Sequence, residues 1–289
     1  MPFSPSQWAK KQASASFQSR TSLPTVQRSI RLSSALHLGR SALSGCLALY
    51  SSLVQGATEA STPDRRMISE AKSYQEQMLR LALERHFETE RENFCGRTFK
   101  IKTLALFFID DITSYRESED GKKPYLLEAF ERLLKEKLVA TIKDLDESEA
   151  EYREYLEASL NHIDECHGGY FAQDNSSSDE DIANEVNDIL NGKKHLLTFR
   201  DKDGKYILRR FLFSKWTLKE GWDNPNVFTI TKLRSSGSET SKLQEVGRGL
   251  RLPVDECGNR ISNQEFMLNY IVDFTEADFA NKLVEQINS

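Results

Sequence analysis

"KTLALFFIDD", residues 102–111, is the stretch that decides the fold. Six consecutive apolar residues, 104–109, end at two aspartates. An unbroken apolar run of this length is typical of a strand buried on both faces of a parallel sheet, whereas a half-exposed strand alternates apolar and polar residues. Such a strand needs helices on both sides, so the stretch predicts a layered α/β domain.

The chain from residue 67 onward alternates predicted helices with predicted strands. The predicted helices are residues 67–90, 124–140, 146–160, 179–191 and 240–251, with a last one after Thr275, and the other predicted strands are residues 195–199, 209–214, 227–233 and 268–274. Glycine, asparagine and serine predict a loop over residues 167–181. Alternation of this kind indicates a mainly parallel sheet with flanking helices.

Residues 1–66 differ in composition from the rest of the chain. Thirteen serines precede residue 58, and the first 58 residues contain no Asp or Glu. This composition is similar to an organellar transit peptide, but a disordered tail or a leader foreign to the domain explains it at least as well. We expect residues 1–66 to be a low-complexity, disordered segment and residues 67–289 to form the domain.

Charge and cysteine usage exclude several classes of function. Residues 59–289 contain 33 basic and 44 acidic residues, a net charge of −11, so any nucleic-acid contact there would be a local groove. The four cysteines are far apart and form no Cys-x-x-Cys pair, which is typical of a reduced, cytoplasmic protein. No stretch approaches the ~20 apolar residues of a membrane span.

Two segments stand out as candidate ligand sites. Ligands of parallel α/β domains gather at the carboxyl ends of the strands, so the segments after strands are searched first. Residues 217–228 place Gly221, Asp223 and Asn224 in a turn that leads into a predicted strand. "QEVGRGLR", residues 244–251, follows that strand in the next predicted helix.

The second segment has a spacing suited to phosphate. Gln244, Arg248 and Arg251 are spaced i, i+4 and i+7, so we expect all three side chains to project from one helical face. Gly247 and Gly249 lower helix propensity, as expected where another backbone or a ligand must come close. Guanidinium groups bind phosphate oxygens in a planar, bidentate way, so this face predicts a phosphate contact.

Each of these residues also has a structural interpretation. Gln244 could complete a capping box with Ser241, which has the required spacing. Arg248 and Arg251 could form a solvated basic face, and Asp223 could be a turn former. Asp110 and Asp111 are interpreted as solvating residues at the end of a strand.

The motifs resemble those of one protein family. "QEVGRGLR" resembles the sixth motif, QxxGRxxR, of superfamily 2 helicases, and "EGWDNPNV", residues 220–227, resembles their fifth motif. With "LALFFIDDITSYR", residues 104–116, and "HGGYFAQD", residues 167–174, they occur in the order found in the Res subunit of type III restriction-modification enzymes. The resemblance covers about residues 67–289.

This resemblance implies the second of two RecA-like domains in an ATP-dependent DNA helicase or translocase. The implied site residues are Arg248 and Arg251 for catalysis and Gly221, Asp223, Gln244 and Gly247 for ATP binding. A DNA contact at Lys215 is also implied. Trp216 weakens that assignment, because related helicases tend to have a small residue there.

The resemblance also implies parts that this sequence does not contain. ATP and Mg²⁺ would be held by a first RecA-like domain, and GxxxxGK[ST] does not occur in the sequence. The nuclease domain of the full subunit is not recognisable either, so we expect a fragment or truncated product. The implied partners are DNA and a methyltransferase (modification) subunit, with no membrane. The alternative is a non-catalytic remnant or a regulatory module that keeps the fold.

"IDECH", residues 163–167, spells the DExH box that holds magnesium in the first domain of such motors. The residues before it are charged and helical, whereas the true motif follows a buried strand. A zinc site at His162, Cys166 and His167 has no second ligand pair at a usual spacing. We therefore interpret the stretch as the end of a helix.

Overall fold

Six parallel strands form the centre of the computed structural model, which describes residues 28–34, 65–116, 124–171, 195–215, 224–233, 239–272, 281–283 and 285. The strands are β1 (Arg28–Ser34), β2 (Leu104–Phe108), β3 (His167–Gly169), β4 (Phe211–Ser214), β5 (Val227–Lys232) and β6 (Phe266–Val272). The main helices are α1 (Arg65–Cys95), α2 (Tyr125–Asp144), α3 (Ala150–Asn161) and α4 (Glu239–Gly249).

The order of strands across the sheet is β1-β6-β5-β2-β4-β3, and each neighbouring pair is parallel. β2 lies in the interior of the sheet, where Phe107 is in register with Phe213 of β4 and Thr231 of β5. Parallel neighbours place all carboxyl ends at one edge of the sheet, called here the carboxyl edge, and all amino ends at the other, the amino edge.

β2 is buried on both faces, as its apolar run predicted. Ala105 and Phe107 belong to the larger hydrophobic core, whereas Leu104, Leu106 and Phe108 belong to the core on the opposite face. All five are fully buried. The alternation follows from the two-residue period of a strand, and the fold class predicted from this stretch is confirmed.

Helices cover both faces of the sheet. Leu83 of α1, Phe130 of α2 and Tyr155 of α3 pack into the larger core. Val246 of α4 and Leu283 pack into the core on the opposite face. This is the three-layer α/β arrangement that the alternation of elements predicted.

Charged side chains join α1 to the junction between α2 and α3. Asp146 and Glu149 form a capping box in the short 3-10 helix that precedes α3. Arg91 of α1 donates to Glu149 and also to Asp144, with Nη1–Oδ2 at 2.8 Å. The arginine therefore fixes this junction against α1 with bidentate, charge-assisted hydrogen bonds.

A buried polar network lies under the sheet between α1, α3 and the start of β4. The guanidinium Nε of Arg210 is 2.8 Å from Oε1 of Glu90, and both side chains are buried. Tyr152 donates to Glu90 at 3.0 Å, and Arg210 Nη1 donates to Ser159 Oγ at 3.0 Å. A buried pair of charges is tolerated only when further hydrogen bonds surround it, and these contacts supply part of them, while Nη2 of Arg210 makes no hydrogen bond within the described residues.

Three sequence predictions need correction. Arg28–Ser34 lie within the segment predicted to be disordered, but they form edge strand β1, whose Ile30 is buried against the sheet. Residues 195–199 were predicted to be a strand, but His195–Leu197 form a 3-10 helix. The predicted loop 167–181 begins with the short strand β3, whose His167 is in register with Phe211 of β4.

The remaining elements agree with the predictions. Strands β4, β5 and β6 and helices α1 to α4 occupy the predicted places, with boundaries shifted by a few residues. Residues 281–283 are helical, as predicted for the region after Thr275. The helix predicted at 179–191 lies outside the described residues, as do residues 1–27 and 35–64 of the N-terminal segment.

Candidate functional site

The residues that follow β2 and β4 are neighbours at the carboxyl edge. Asp111 begins the 3-10 helix Ile112–Ser114 by accepting a hydrogen bond from the backbone N–H of Thr113 at 3.1 Å. Hydrogen bonds from Thr113, together with the positive charge of Lys215, lower the pKa of Asp111. Asp110 and Asp111 are exposed, as expected of solvating residues, and Lys215 is half-buried.

The segment 244–251 is divided by the end of α4. Gln244 and Gly247 are exposed on the helix, and Arg248 is half-buried. Arg251 lies in a bend two residues beyond Gly249, the last helical residue. The prediction that three side chains share one helical face is therefore wrong for Arg251, because the helix ends before it.

The two glycines of α4 have different surroundings. A Cβ atom at Gly247 would meet nothing within 4 Å. A Cβ atom at Gly249 would lie 2.4 Å from Cδ1 of Leu268 on β6, which is far too close. Gly249 therefore allows the end of α4 to approach β6, whereas Gly247 leaves open space beside Gln244 and Arg248.

The fold bears on whether Gln244 completes a capping box and whether Arg248 belongs to a solvated basic face. Ser241 lies inside α4, which begins at Glu239, so it is not at the position of an N-cap and the capping box is excluded. Burial lowers the pKa of Arg248, and the negative charge of Glu245 opposes this effect. A half-buried guanidinium of this kind differs from the fully solvated arginine of an ordinary helix surface.

The chain from α4 onward runs from the carboxyl edge towards the amino edge. Glu245 Oε2 is 3.2 Å from Nζ of Lys232, the last residue of β5, and both side chains are buried. Val254 contacts Asn226, the residue directly before β5. Arg251 lies between these two points, so it belongs to the path towards the amino edge.

Asn226 joins the segments that resemble the fifth and sixth motifs. Its side-chain Nδ2 donates to the backbone carbonyl of Val254 at 2.8 Å, and its Oδ1 accepts from the backbone N–H of Val254 at 2.8 Å. The backbone N–H of Asn226 donates to Oδ1 of Asn224 at 3.0 Å. Asn226 was not among the residues predicted from the sequence. The signal that could have indicated it was a polar residue between Pro225 and a buried strand.

Gly221, Asp223 and Trp216 lie outside the described residues. Their predicted roles therefore remain predictions. The nearest described neighbour on the same segment is Asn224, which is 2% exposed. Its burial places the end of this turn inside the protein at the amino edge.

The stretch that spells a DExH box is the end of a helix, as interpreted from the sequence. Asp164–Cys166 form a 3-10 helix after α3, and the carbonyl of Cys166 accepts from the backbone N–H of Arg210 at 2.9 Å. The acids therefore precede β3 at the amino edge instead of following a buried strand. Glu165 pairs with Lys205, with Oε2 and Nζ 3.4 Å apart at the surface.

The described part of the chain offers neither a metal site nor a membrane-spanning helix. In the described part of the chain, no group of three or more His, Cys, Asp or Glu side chains is arranged to hold a metal ion. Cys166 is instead buried, and Nδ1 of His167 is 2.6 Å from the hydroxyl of Tyr115. Across the same described residues, no helix is both long and apolar enough to cross a membrane.

The structure is a parallel sheet with helices on both faces, and the GRGLR segment lies at the end of a helix that packs on the sheet. This is the arrangement of a helicase-like domain of RecA-like fold. The chain is 51% identical over 232 residues to the Res subunit of the type III restriction-modification enzyme StyLTI from Salmonella typhimurium. That match covers 75% of this chain and 23% of the relative. The resemblance to Res subunits is confirmed.

Two further Res subunits show the same similarity. Over 199 residues the chain is 49% identical to that of EcoP15I from Escherichia coli and 48% identical to that of EcoPI from Escherichia phage P1. Each match covers 68% of this chain and 19% of the relative. The chain thus spans less than a quarter of the length of the curated relatives it matches.

Other comparisons contribute little. No protein-family model matches the chain. The solved structure of Mycobacterium smegmatis helicase Lhr bound to ssDNA and AMP-PNP covers 88% of this chain and 36% of that chain, at 13% identity and a TM-score of 0.25. A score this low supports no argument about this chain.

Proposed function

We propose that this chain acts as the second RecA-like motor domain of an ATP-dependent DNA translocase of the Res type. In this proposal a first RecA-like domain holds ATP, and Arg248 and Arg251 reach its phosphates from this domain. The identity to three Res subunits supports the assignment to this kind of motor. The arginine role is supported by the geometry at the end of α4.

The observation that carries the proposal is the way in which the two arginines are held. α4 is anchored by the buried pair of Glu245 and Lys232, and its end packs closely on β6 through Gly249. Arg248 is therefore on a fixed helix, and Arg251 follows in a short bend. A guanidinium that is positioned in advance stabilises developing phosphate charge without reorganisation during the reaction.

The remaining ATP contacts surround this arginine pair in our proposal. Gln244 is exposed one turn before Arg248, and the space beside Gly247 is open to a ligand. We assign Gly221 and Asp223 to the same contact surface from their motif alone. Mg²⁺ and the phosphate cradle would come from the first domain, since phosphoryl transfer requires both before an arginine contributes.

DNA would contact the opposite edge of the sheet. Lys215 lies at the carboxyl edge beside Asp111, away from the path that leads through Arg251 to the amino edge. A net charge of −11 over residues 59–289 requires such a contact to be local. We propose a modification (methyltransferase) subunit as the protein partner, since the relatives are Res subunits of restriction-modification enzymes. We place the protein in the cytoplasm, in agreement with the free thiols of Cys95, Cys166 and Cys257.

The test uses a chimeric Res subunit, defined as the StyLTI Res subunit with its matching segment replaced by the part of this chain that matches it. We expect DNA-stimulated ATP hydrolysis by the chimera. Arg248→Ala or Arg251→Ala should reduce turnover, and Arg153→Ala is the matched control because Arg153 only donates to the backbone carbonyls of Ile142 and Leu145 on the surface of the helical layer. An active chimera whose turnover survives both substitutions would refute the proposed role.

A well-folded chimera that binds DNA but does not hydrolyse ATP would favour the alternative function, a regulatory module that keeps the helicase-like fold. The parental StyLTI Res subunit, assayed in parallel, controls for the activity of the preparation.

A further inference from the structure

Asn226 connects two parts of the chain that are far apart in sequence. Its side-chain amide forms a pair of 2.8 Å hydrogen bonds with the backbone N–H and carbonyl of Val254. Its own backbone carbonyl accepts from the N–H of Leu104 at 2.9 Å and thereby extends the pairing of β5 with β2. Asn226 is fully buried. One residue therefore joins the start of β5 to the segment after α4.

The two bonds imitate the pairing of one strand with another. An asparagine amide has one donor and one acceptor group in the arrangement of a peptide, so it can pair with both backbone groups of Val254. The backbone of Asn226 is held as well, because its N–H donates to Oδ1 of Asn224 at 3.0 Å. An aspartate has the same shape but no donor when ionised, and an alanine has neither group.

Val254 is held from other directions as well. It bridges Arg260 in antiparallel fashion, and the N–H of Ile261 donates to the carbonyl of Pro253 at 3.0 Å. These contacts form a small turn within residues 253–261. Within the part of the chain that the structure describes, the hydrogen bonds between Val254 and Asn226 attach this turn to the start of β5.

The turn begins close to the candidate arginines. Arg251 precedes Val254 by three residues, a distance of at most about 11 Å along an extended chain. The other end of this short connection is Gly249, which is packed against Leu268. The path of the backbone at Arg251 is therefore limited at both ends. Gly249 packs against β6 on one side, and the two hydrogen bonds between Asn226 and Val254 hold the other side at the start of β5.

We infer that Asn226 is a positioning residue for Arg251, which acts by holding the backbone at Val254. The inference rests on the proposed function, in which Arg251 contacts ATP. It adds that the segment resembling the fifth motif sets the geometry of the segment resembling the sixth motif through this one amide. Asn226 itself does not touch the nucleotide in this account.

The first part of the test uses the full 289-residue chain and amide hydrogen exchange. Asn226→Ala should reduce the protection of the Val254 N–H by roughly tenfold, the factor expected for one lost hydrogen bond, while the Leu106 amide in β2 stays protected. Asn93→Ala is the matched control, since Asn93 is also a fully buried asparagine but donates to Thr103 at 3.0 Å. Unchanged protection of Val254 in Asn226→Ala would overturn the inference.

The second part uses the chimeric Res subunit and separates turnover from binding. A displacement of about 1 Å in a positioned catalytic group can lower the rate by about 10²-fold, so we expect a loss of that order in single-turnover hydrolysis by Asn226→Ala. Nucleotide affinity should change much less. Asn93→Ala should leave both quantities close to those of the unmodified chimera, even where it lowers stability.

Asn226→Ser provides a second variant in case the alanine variant does not fold. Its hydroxyl leaves no charge in the buried site but is too short to pair with both backbone groups of Val254, so we expect a loss of turnover close to that of Asn226→Ala. Turnover near normal in both variants, with Arg251→Ala inactive, would overturn this inference alone. Turnover near normal in Arg251→Ala would instead remove the role of Arg251 on which the inference rests, and turnover near normal in Arg248→Ala as well would refute the proposed function.

Discussion

At the scale of single residues, Gly247 and Gly249 show that one residue type can serve two purposes on the same helix. The sequence predicted that a backbone or a ligand comes close to these glycines. At Gly249 the close neighbour is a side chain and not a backbone or a ligand, because Leu268 occupies the space that a Cβ atom would need. Gly247 faces open space, and a ligand there remains part of the proposal.

The first prediction compares alanine at these two positions. Gly247→Ala should raise the free energy of unfolding of the full chain by up to about 1 kcal/mol, because alanine favours an exposed helix position. Gly249→Ala should lower it by about 1–3 kcal/mol, because the added methyl group must displace a buried leucine. Urea unfolding of both variants measures the difference. Equal effects would contradict the packing described for the end of α4.

Some site residues could be predicted from the sequence and others could not. Gln244 and Arg248 were recognisable because helical spacing is local and places i and i+4 on one face. Arg251 was placed on that face wrongly, because the end of the helix at Gly249 depends on contact with β6. Asn226 was missed because its partner Val254 is 28 residues away in sequence. No local pattern reports such a pair.

At the scale of elements, the buried polar network between α1, α3 and the start of β4 contains a further charged side chain. Lys102, directly before β2, is fully buried near Arg210. Its Nζ donates to the carbonyl of Ile207 and lies 5.3 Å from the ring centroid of Tyr155. Burial, together with the charge of Arg210, lowers the pKa of Lys102 to about 7.

The second prediction follows from this pKa. In the unfolded chain Lys102 has a pKa near its ordinary value of 10.5, so between about pH 7 and 10.5 the unfolded state holds a proton that the folded state has lost. Stability then rises with pH across this window, with a slope of up to about 1.4 kcal/mol per pH unit from this group. Below about pH 7 both states are protonated, and the contribution is flat.

Urea unfolding between pH 7 and 9 measures this effect. Lys102→Met should remove the rise that the lysine produces. Lys100→Met is the matched control, because Lys100 is a nearby lysine at the surface whose Nζ is 2.5 Å from Glu151 Oε1. If Lys102→Met and the unmodified chain have parallel pH profiles, Lys102 is charged in the folded state at pH 9 and the account of the network is wrong.

The elements differ in how well the sequence predicts them. β2 was predicted because a continuous apolar run is a strong signal for a strand buried on both faces, and β4 and β5 because they are short runs rich in aromatic and β-branched residues. β1 was missed because only Ile30 and Leu32 pack against the core within a segment rich in serine and arginine. β3 has two glycines among its three residues, so its strand structure comes from pairing with β4 and not from its own composition.

At the scale of the whole molecule, the sheet separates two kinds of candidate contact. Lys215 and Asp111 lie at the carboxyl edge, whereas the connection through Arg251 reaches the amino edge at Asn226. The proposal assigns DNA to the carboxyl edge at Lys215 and nucleotide to the surface that runs along α4 from Gln244 to Arg251. A motor domain that holds its two ligands at separate places can couple them only through the sheet and helices between them.

The third prediction concerns the activity of the 289-residue chain. Phosphoryl transfer requires bound magnesium and a phosphate cradle, and GxxxxGK[ST] does not occur in the sequence. We expect negligible ATP hydrolysis, measured by phosphate release with Mg²⁺ and DNA present. Steady, DNA-stimulated turnover that is abolished by Asp164→Ala and Glu165→Ala would contradict this expectation and restore the DExH interpretation.

The central claim is that the arginines act on the transition state of ATP hydrolysis. An arginine finger is worth roughly 10³ to 10⁵ in rate, and only interactions that strengthen in the transition state raise turnover. In the chimeric Res subunit, Arg248→Ala or Arg251→Ala should therefore slow single-turnover hydrolysis by orders of magnitude while nucleotide binding weakens much less. Arg→Lys should rescue poorly, since a lysine lacks the planar fork.

The measurement that tests this claim most directly is the single-turnover hydrolysis rate of each arginine variant, taken beside its equilibrium affinity for nucleotide. The account predicts a large loss of rate with a small loss of affinity in at least one of the two alanine variants. Near-normal rates in both, in a chimera that is otherwise active, would mean that Arg248 and Arg251 form only a basic surface and would contradict the account.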